Sequence, residues 1–157
     1  MDPIFKKLNF KGQSPLYIIN APHSFKTHTK AISSEAEIRT AIPAKDEAAF
    51  VLAFVTKQSE VDRLAKKIGP FIKGDGLFWF AYPKGTSKKF KCEFNRDTGW
   101  NEMGKQDFEP VRMIAIDEDW SALRFRKAAY ISTMTRSSAL SKTGKEKLKG
   151  KGLTKRN

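Results

Sequence analysis

Two segments of this chain, Ala48–Val55 and Leu77–Tyr82, are apolar at every position. Successive side chains of a β-strand point to opposite faces, so such a strand must be covered on both of them. The arrangement that does this is the interior of a mostly parallel sheet with helices above and below. At eight residues, the longer run falls far short of the ~20 that a membrane helix needs. Met1 to Lys7 shows no apolar signal core, which reads as a cytoplasmic protein without a membrane segment.

The remaining pattern fits around these strands. Leu16-Tyr17-Ile18-Ile19-Asn20 is a β-type run closed by the turn formers Asn20-Ala21-Pro22, and Ala36–Ile42 alternates weakly up to Pro43. Thr56 reads as a helix N-cap, followed by Val61, Leu64, Ala65 and Ile68 on one stripe and stopped by Gly69-Pro70. Asp97 reads as the cap of a short helix reaching about Gln106, which would bury Trp100 and Met103. Val111–Ile116 and Ser121–Arg126 flank Asp117-Glu118-Asp119, a connection so short that the two strands must be antiparallel. In Ser121–Arg126, Arg124 and Arg126 share one face and Leu123 and Phe125 the other, the pattern of an edge or half-exposed strand. The expected fold is a three-layer Rossmann-like α/β sandwich, its mostly parallel sheet ending in an antiparallel pair.

Charge divides the chain differently. The 157 residues include 30 Lys+Arg and 17 Asp+Glu, a net charge of +13. Residues 127–157 hold nine basic side chains and one acidic one, Glu146. From Ser137 onward, Ser, Thr, Gly and Lys dominate, a composition unable to bury enough apolar surface to offset ordering entropy. The expectation is therefore an α/β domain over 1–136 and a flexible basic tail over 137–157. Cys92 is the only cysteine, which excludes an intrachain disulfide framework and a cysteine-rich metal site.

Three segments carry a resemblance: Phe80-Ala81-Tyr82-Pro83-Lys84, Arg96-Asp97-Thr98-Gly99-Trp100 and Asp119-Trp120-Ser121-Ala122-Leu123-Arg124-Phe125-Arg126. Together they resemble a group of short bacterial proteins of unknown function, over about residues 4–130. That resemblance implies a shared fold and a bacterial origin, and no activity. The strand order is also similar to the S-adenosylmethionine methyltransferase architecture. This second likeness implies a glycine-rich cofactor turn after the first strand and an acidic residue after the second. Here the first strand runs into Asn20-Ala21-Pro22-His23-Ser24, without glycine, and Ile42 is followed by Pro43. The chain reads as a degenerate relative, and no cofactor is expected.

Candidate binding residues gather where ligands usually bind open α/β sheets, beyond the carboxyl ends of the strands. Asn20, His23 and Ser24 follow the first strand. Lys84, Gly85, Thr86, Ser87, Lys88 and Lys89 follow a buried one, combining a glycine, hydroxyl donors and three cations suited to an anion. Arg96, beside Asp97, is a further phosphate candidate. The tail adds Lys142, Lys145, Lys147, Lys149, Lys151, Lys155 and Arg156, a polybasic arm of the kind that gains affinity for nucleic acid by releasing counterions. Phe90, Cys92 and Phe94 alternate as half-buried core, with base stacking the less favoured alternative. Asp117, Glu118 and Asp119 read as a polar turn, and no metal site is expected. His23 and His28 have no evident partner in the sequence, and two histidines leave little material for a triad.

Function then reads as binding of an anionic partner, nucleic acid above all, with RNA one form of it, more than as catalysis. The alternative is a small anionic ligand, or an enzymatic domain, using the pocket at the strand ends. Oligomeric state is not legible.

Overall fold

The computed structural model describes residues 1–44, 47–132 and 139–146. The two apolar runs form the centre of a six-stranded sheet. They are the cores of β3 (Ala48–Phe54) and β4 (Ile72–Pro83), which pair in parallel. β1 (Leu16–Ile19) lies on the far side of β3, and β2 (Ile38–Arg39) lies outside β1, both parallel to it. Beyond β4 come β6 (Trp120–Lys127) and then β5 (Phe108–Ala115), so the sheet order is β2-β1-β3-β4-β6-β5. β6 runs antiparallel to both neighbours. This is the expected Rossmann-like sandwich with its antiparallel close.

Alternation divides the central strands between two cores. Val51, Ala53, Phe78, Phe80 and Tyr82 face one layer, with α3 (Gln58–Ile68) and α4 (Asn101–Lys105). α3 contributes the stripe Val61, Leu64, Ala65 and Ile68 read from the sequence. Phe50, Leu52, Phe54, Leu77 and Trp79 face the other layer, with α1 (Pro3–Lys7) and α2 (Lys26–Ile32). Each fully buried Phe stabilises the fold by about 1.5–3 kcal/mol. Trp79 is fully buried, and its indole N–H donates to the carbonyl of Leu8 at 3.0 Å, tying the chain after α1 to the sheet.

Several local expectations change. α1 and α2 are too short for periodicity to reveal them, and Ile32 is the one buried side chain within α2. Asp97 does not cap α4, whose N-cap is Trp100 without a side-chain bond. It lies instead in a turn where Asn95 Oδ1 accepts from the backbone N–H groups of Asp97 and Thr98. Thr56 precedes the actual N-cap, Lys57, and the Glu60 carboxylate reaches back to accept from the N–H of both. β6 is internal, so Arg124 owes its partial exposure to its face of the sheet and not to an edge. Among the described residues, no helix is long and apolar enough to cross a membrane.

The boundary expected at residue 136 lies outside the described residues, as do Lys147, Lys149, Lys151, Lys155 and Arg156. Within the expected tail, residues 139–146 are packed on the body and 142–146 make a short helical turn. Two carboxylates at the start of β5 hold this segment, a contact that composition could not reveal. Gly104 permits the approach: a Cβ there would stand 2.5 Å from the Leu140 carbonyl oxygen.

Candidate anion-binding cleft

In this sheet the chain leaves β1 toward β2 in one direction and reaches β3 in the other. Loops therefore separate at the carboxyl ends of these strands, the position that favours a ligand crevice in open α/β sheets. Asn20, immediately after β1, has φ +57°, a left-handed conformation that Asn tolerates better than most residues. Pro22 then starts the single turn His23–Phe25, which leads into α2. Phe25 anchors this turn in the core, leaving Asn20, His23 and Ser24 exposed.

Beside this crevice, a cleft of about 590 Å³ opens between β1, β2 and α2. Ile18 and Ile38 supply apolar lining, and Asn20, His23, Lys26, Thr29 and Thr40 supply the polar groups. Among the described residues, no carboxylate lines it. The cleft thus brings together Asn20 and His23 from the expected set and adds Lys26, Thr29 and Thr40. These three were missed because their convergence depends on where α2 packs, and α2 carries no periodic signal. Ser24 does not line this cleft.

Lys84–Lys89 are placed differently. The Lys84 N–H donates to the Asp119 carbonyl at 2.8 Å, and Ser87 Oγ donates to Asp119 Oδ1 at 2.8 Å. Ser87 Oγ also accepts from the N–H of Phe90 at 3.1 Å. Its hydroxyl is therefore committed to the loop's own structure. Gly85, Thr86, Lys88 and Lys89 remain exposed around that anchor. Asp117 Oδ1 accepts from the backbone N–H groups of Asp119 and Trp120. The acidic triplet thereby acts as turn scaffolding, and among the described residues no group of three His, Cys, Asp or Glu could hold a metal.

Arg96 lies in a separate cleft of about 260 Å³ beside Val111, Arg112 and Met113, with Nε 3.3 Å from Asp97 Oδ1. Near it, the Tyr82 hydroxyl donates to Met113 Sδ at 3.3 Å. Burial pushes the Tyr82 phenol up from its ordinary value, opposed by the charge of Arg96. Burial likewise pushes the Cys92 thiol up, which suits the packed hydrophobe expected from the sequence. His28 does have a partner, distant in sequence: its Nδ1 lies 2.8 Å from both carboxylate oxygens of the buried Asp2.

No family model and no curated protein matches the chain. Among solved structures, the N-methyltransferase NodS from Bradyrhizobium japonicum WM9, in complex with S-adenosyl-L-homocysteine, is 9% identical with a TM-score of 0.45. That match covers 70% of this chain and spans only 64% of NodS. A protein of the NADB-Rossmann superfamily from Streptococcus agalactiae is 10% identical, covering 81% and 68% of the two chains, with a TM-score of 0.42. The fibrillarin pre-rRNA processing protein of Methanococcus jannaschii is 12% identical, covering 70% and 54%, with a TM-score of 0.43. These are likenesses of fold, and no residue role is taken from them.

The cofactor associated with the methyltransferase architecture does not fit the described residues of this cleft. Ala21 and Pro22 stand in the turn after β1, and Thr40 and Ala41 follow β2 without a carboxylate to receive ribose hydroxyls. The lining carries the ammonium of Lys26, a poor neighbour for a cationic sulfonium.

Proposed function

We propose that this protein is a non-enzymatic binding module for a phosphate-bearing partner, and that the partner is nucleic acid, RNA in particular. The observation that carries this reading is the cleft at the ends of β1 and β2, with His23, Lys26 and Asn20 on its walls and no carboxylate among the described residues that line it. The exposed Lys88 and Lys89, on the loop after β4, extend the cationic surface with Lys84. Lys142 and Lys145, exposed on the docked segment, begin the basic arm, and the chain carries +13 in all. Cations so distributed gain affinity for a phosphate backbone through counterion release, largely without regard to sequence.

Fluorescence anisotropy of the full chain with a labelled RNA hairpin tests this. Affinity should fall linearly with the logarithm of salt concentration, and K26Q combined with K88Q and K89Q should weaken binding and flatten the slope. Absent binding, or binding that neither salt nor these substitutions alter, would overturn it.

The volume of the cleft supports a second reading, because about 590 Å³ lies within the ~300–1,000 Å³ typical of small-molecule sites. A small anionic ligand would then be the occupant. A thermal shift with nucleotides or phosphorylated metabolites, lost in K26Q while RNA binding is absent, would favour this alternative.

A further inference from the structure

A different cationic group lies on the sheet, apart from the strand-end cleft. In the β5–β6 ladder, Arg112 pairs directly with Arg124. Paired residues in an antiparallel ladder project to the same face, so the two guanidinium groups belong to the face that also carries Trp79 and Ile114. Like charges directly opposite each other destabilise a sheet.

Among the described residues, two carboxylates belong to this face, and both are engaged: Glu109, paired with Arg126 in the ladder, accepts from the N–H groups of Leu140 and Ser141. Asp75 accepts from Arg126 through two bonds, Nε to Oδ1 at 2.8 Å and Nη2 to Oδ2 at 2.7 Å. Among the described residues neither Arg112 nor Arg124 has a carboxylate partner. Arg124 is half-buried, and its buried Nε has no hydrogen-bond partner among the described residues. An unmatched buried donor of this kind costs free energy that an acceptor would recover. Burial foremost, with the charges of Arg126 and Arg112 adding and Asp75 opposing, lowers the affinity of the Arg124 guanidinium for its proton. The repulsion between the two arginines and the unmatched Nε donor point to the same remedy, an acceptor that carries negative charge.

We propose that Arg112 and Arg124 form a two-arginine oxyanion site that takes a phosphate group. A tetrahedral oxyanion offers acceptors to two planar guanidinium forks at once, a geometry that Arg matches and Lys does not. The phosphate is either free, as inorganic phosphate or a small monoester, or a backbone phosphate of nucleic acid. The site does not depend on the strand-end cleft.

The test is thermal unfolding of the full chain in inorganic phosphate against chloride at equal ionic strength. Phosphate should raise the wild-type Tm by a few degrees, and R112Q and R124Q should each lose most of that rise. H23Q combined with K26Q should keep it. Arg112 is exposed, so R112Q keeps the test valid if R124Q fails to fold. In chloride alone, R112Q should be at least as stable as wild type, because it relieves repulsion. RNA-hairpin anisotropy separates the two sources. A salt slope shallower by about one in R112Q would assign the site to a backbone phosphate. An unchanged slope with the Tm response lost would assign it to free phosphate. No phosphate-specific Tm rise in wild type, or a rise that R112Q retains, overturns the proposal. A protein that binds no RNA but keeps the phosphate response would refute the nucleic-acid reading alone.

Discussion

Ser141 Oγ donates to the Glu109 carboxylate at 2.6 Å, and Glu109 is 0% exposed. The same carboxylate accepts from the N–H groups of Leu140 and Ser141, while Asp107 accepts from the N–H and hydroxyl of Thr143. Two acidic side chains at the start of β5 thus receive the backbone and hydroxyl donors of a segment whose composition resembles a free tail.

Glu109→Ala should release this segment, because it strands several donors that are now satisfied. The expected cost is about 1–3 kcal/mol. Hydrogen exchange should show lost protection at Leu140, Ser141 and Gly144, with protection on β3 and β4 retained. Unchanged protection at Ser141 would show that the segment is held by Leu140 packing instead.

Removing His28 should destabilise the N-terminal layer. The Asp2 side chain is 3% exposed and meets His28 Nδ1 at 2.8 Å, so His28→Ala leaves a buried carboxylate without that contact. A loss of about 1–3 kcal/mol in urea unfolding is expected. A double-mutant cycle with Asp2→Asn should show coupling, and additive effects would contradict a direct interaction.

Cys92 should react slowly with iodoacetamide. Its thiol is pushed up by burial, with the charge of Glu93 adding and the backbone bond from Phe94 opposing. The thiolate fraction near neutral pH is therefore smaller than in a free cysteine. Alkylation at pH 7.5 should be slower in the folded protein than in urea, and should accelerate as pH rises above the ordinary thiol value. Equal rates in both states would refute this.

Stability should decline at alkaline pH through Tyr82. Its phenol is raised above the ordinary tyrosine value, chiefly by burial, so the unfolded chain loses that proton first as pH rises. The folded state then binds more protons than the unfolded one, and linkage makes unfolding easier. The contribution is fully present below the ordinary value near ~10 and is lost as pH rises through the higher folded one. Tyr82→Phe should remove that part of the alkaline decline in urea unfolding measured from pH 8 to 11.

Strand positions were the most legible feature of the chain. Ala48–Val55 and Leu77–Tyr82 identify β3 and β4 because their apolar faces leave no other stable placement. The stripe from Val61 to Ile68 identifies α3 for a similar reason. α1 and α2 escaped because helices of five and seven residues present too few turns to establish a period. Part of the strand-end cleft was legible, since Asn20 and His23 follow β1 directly. Lys26, Thr29 and Thr40 were not, because their meeting depends on α2 and β2 packing side by side.

The residue pattern alone places the buried centre of the sheet and its antiparallel close, and shows the basic character of the chain. Those properties rest on local alternation and on composition, which survive whatever the neighbours do. Tertiary structure decided which charges meet. It set Arg112 opposite Arg124, committed Asp75 to Arg126, and brought Glu109 to Ser141 across 32 residues of chain. Electrostatic and hydrogen-bond energies depend on distance and burial, and both are fixed only when the strands and loops have come together.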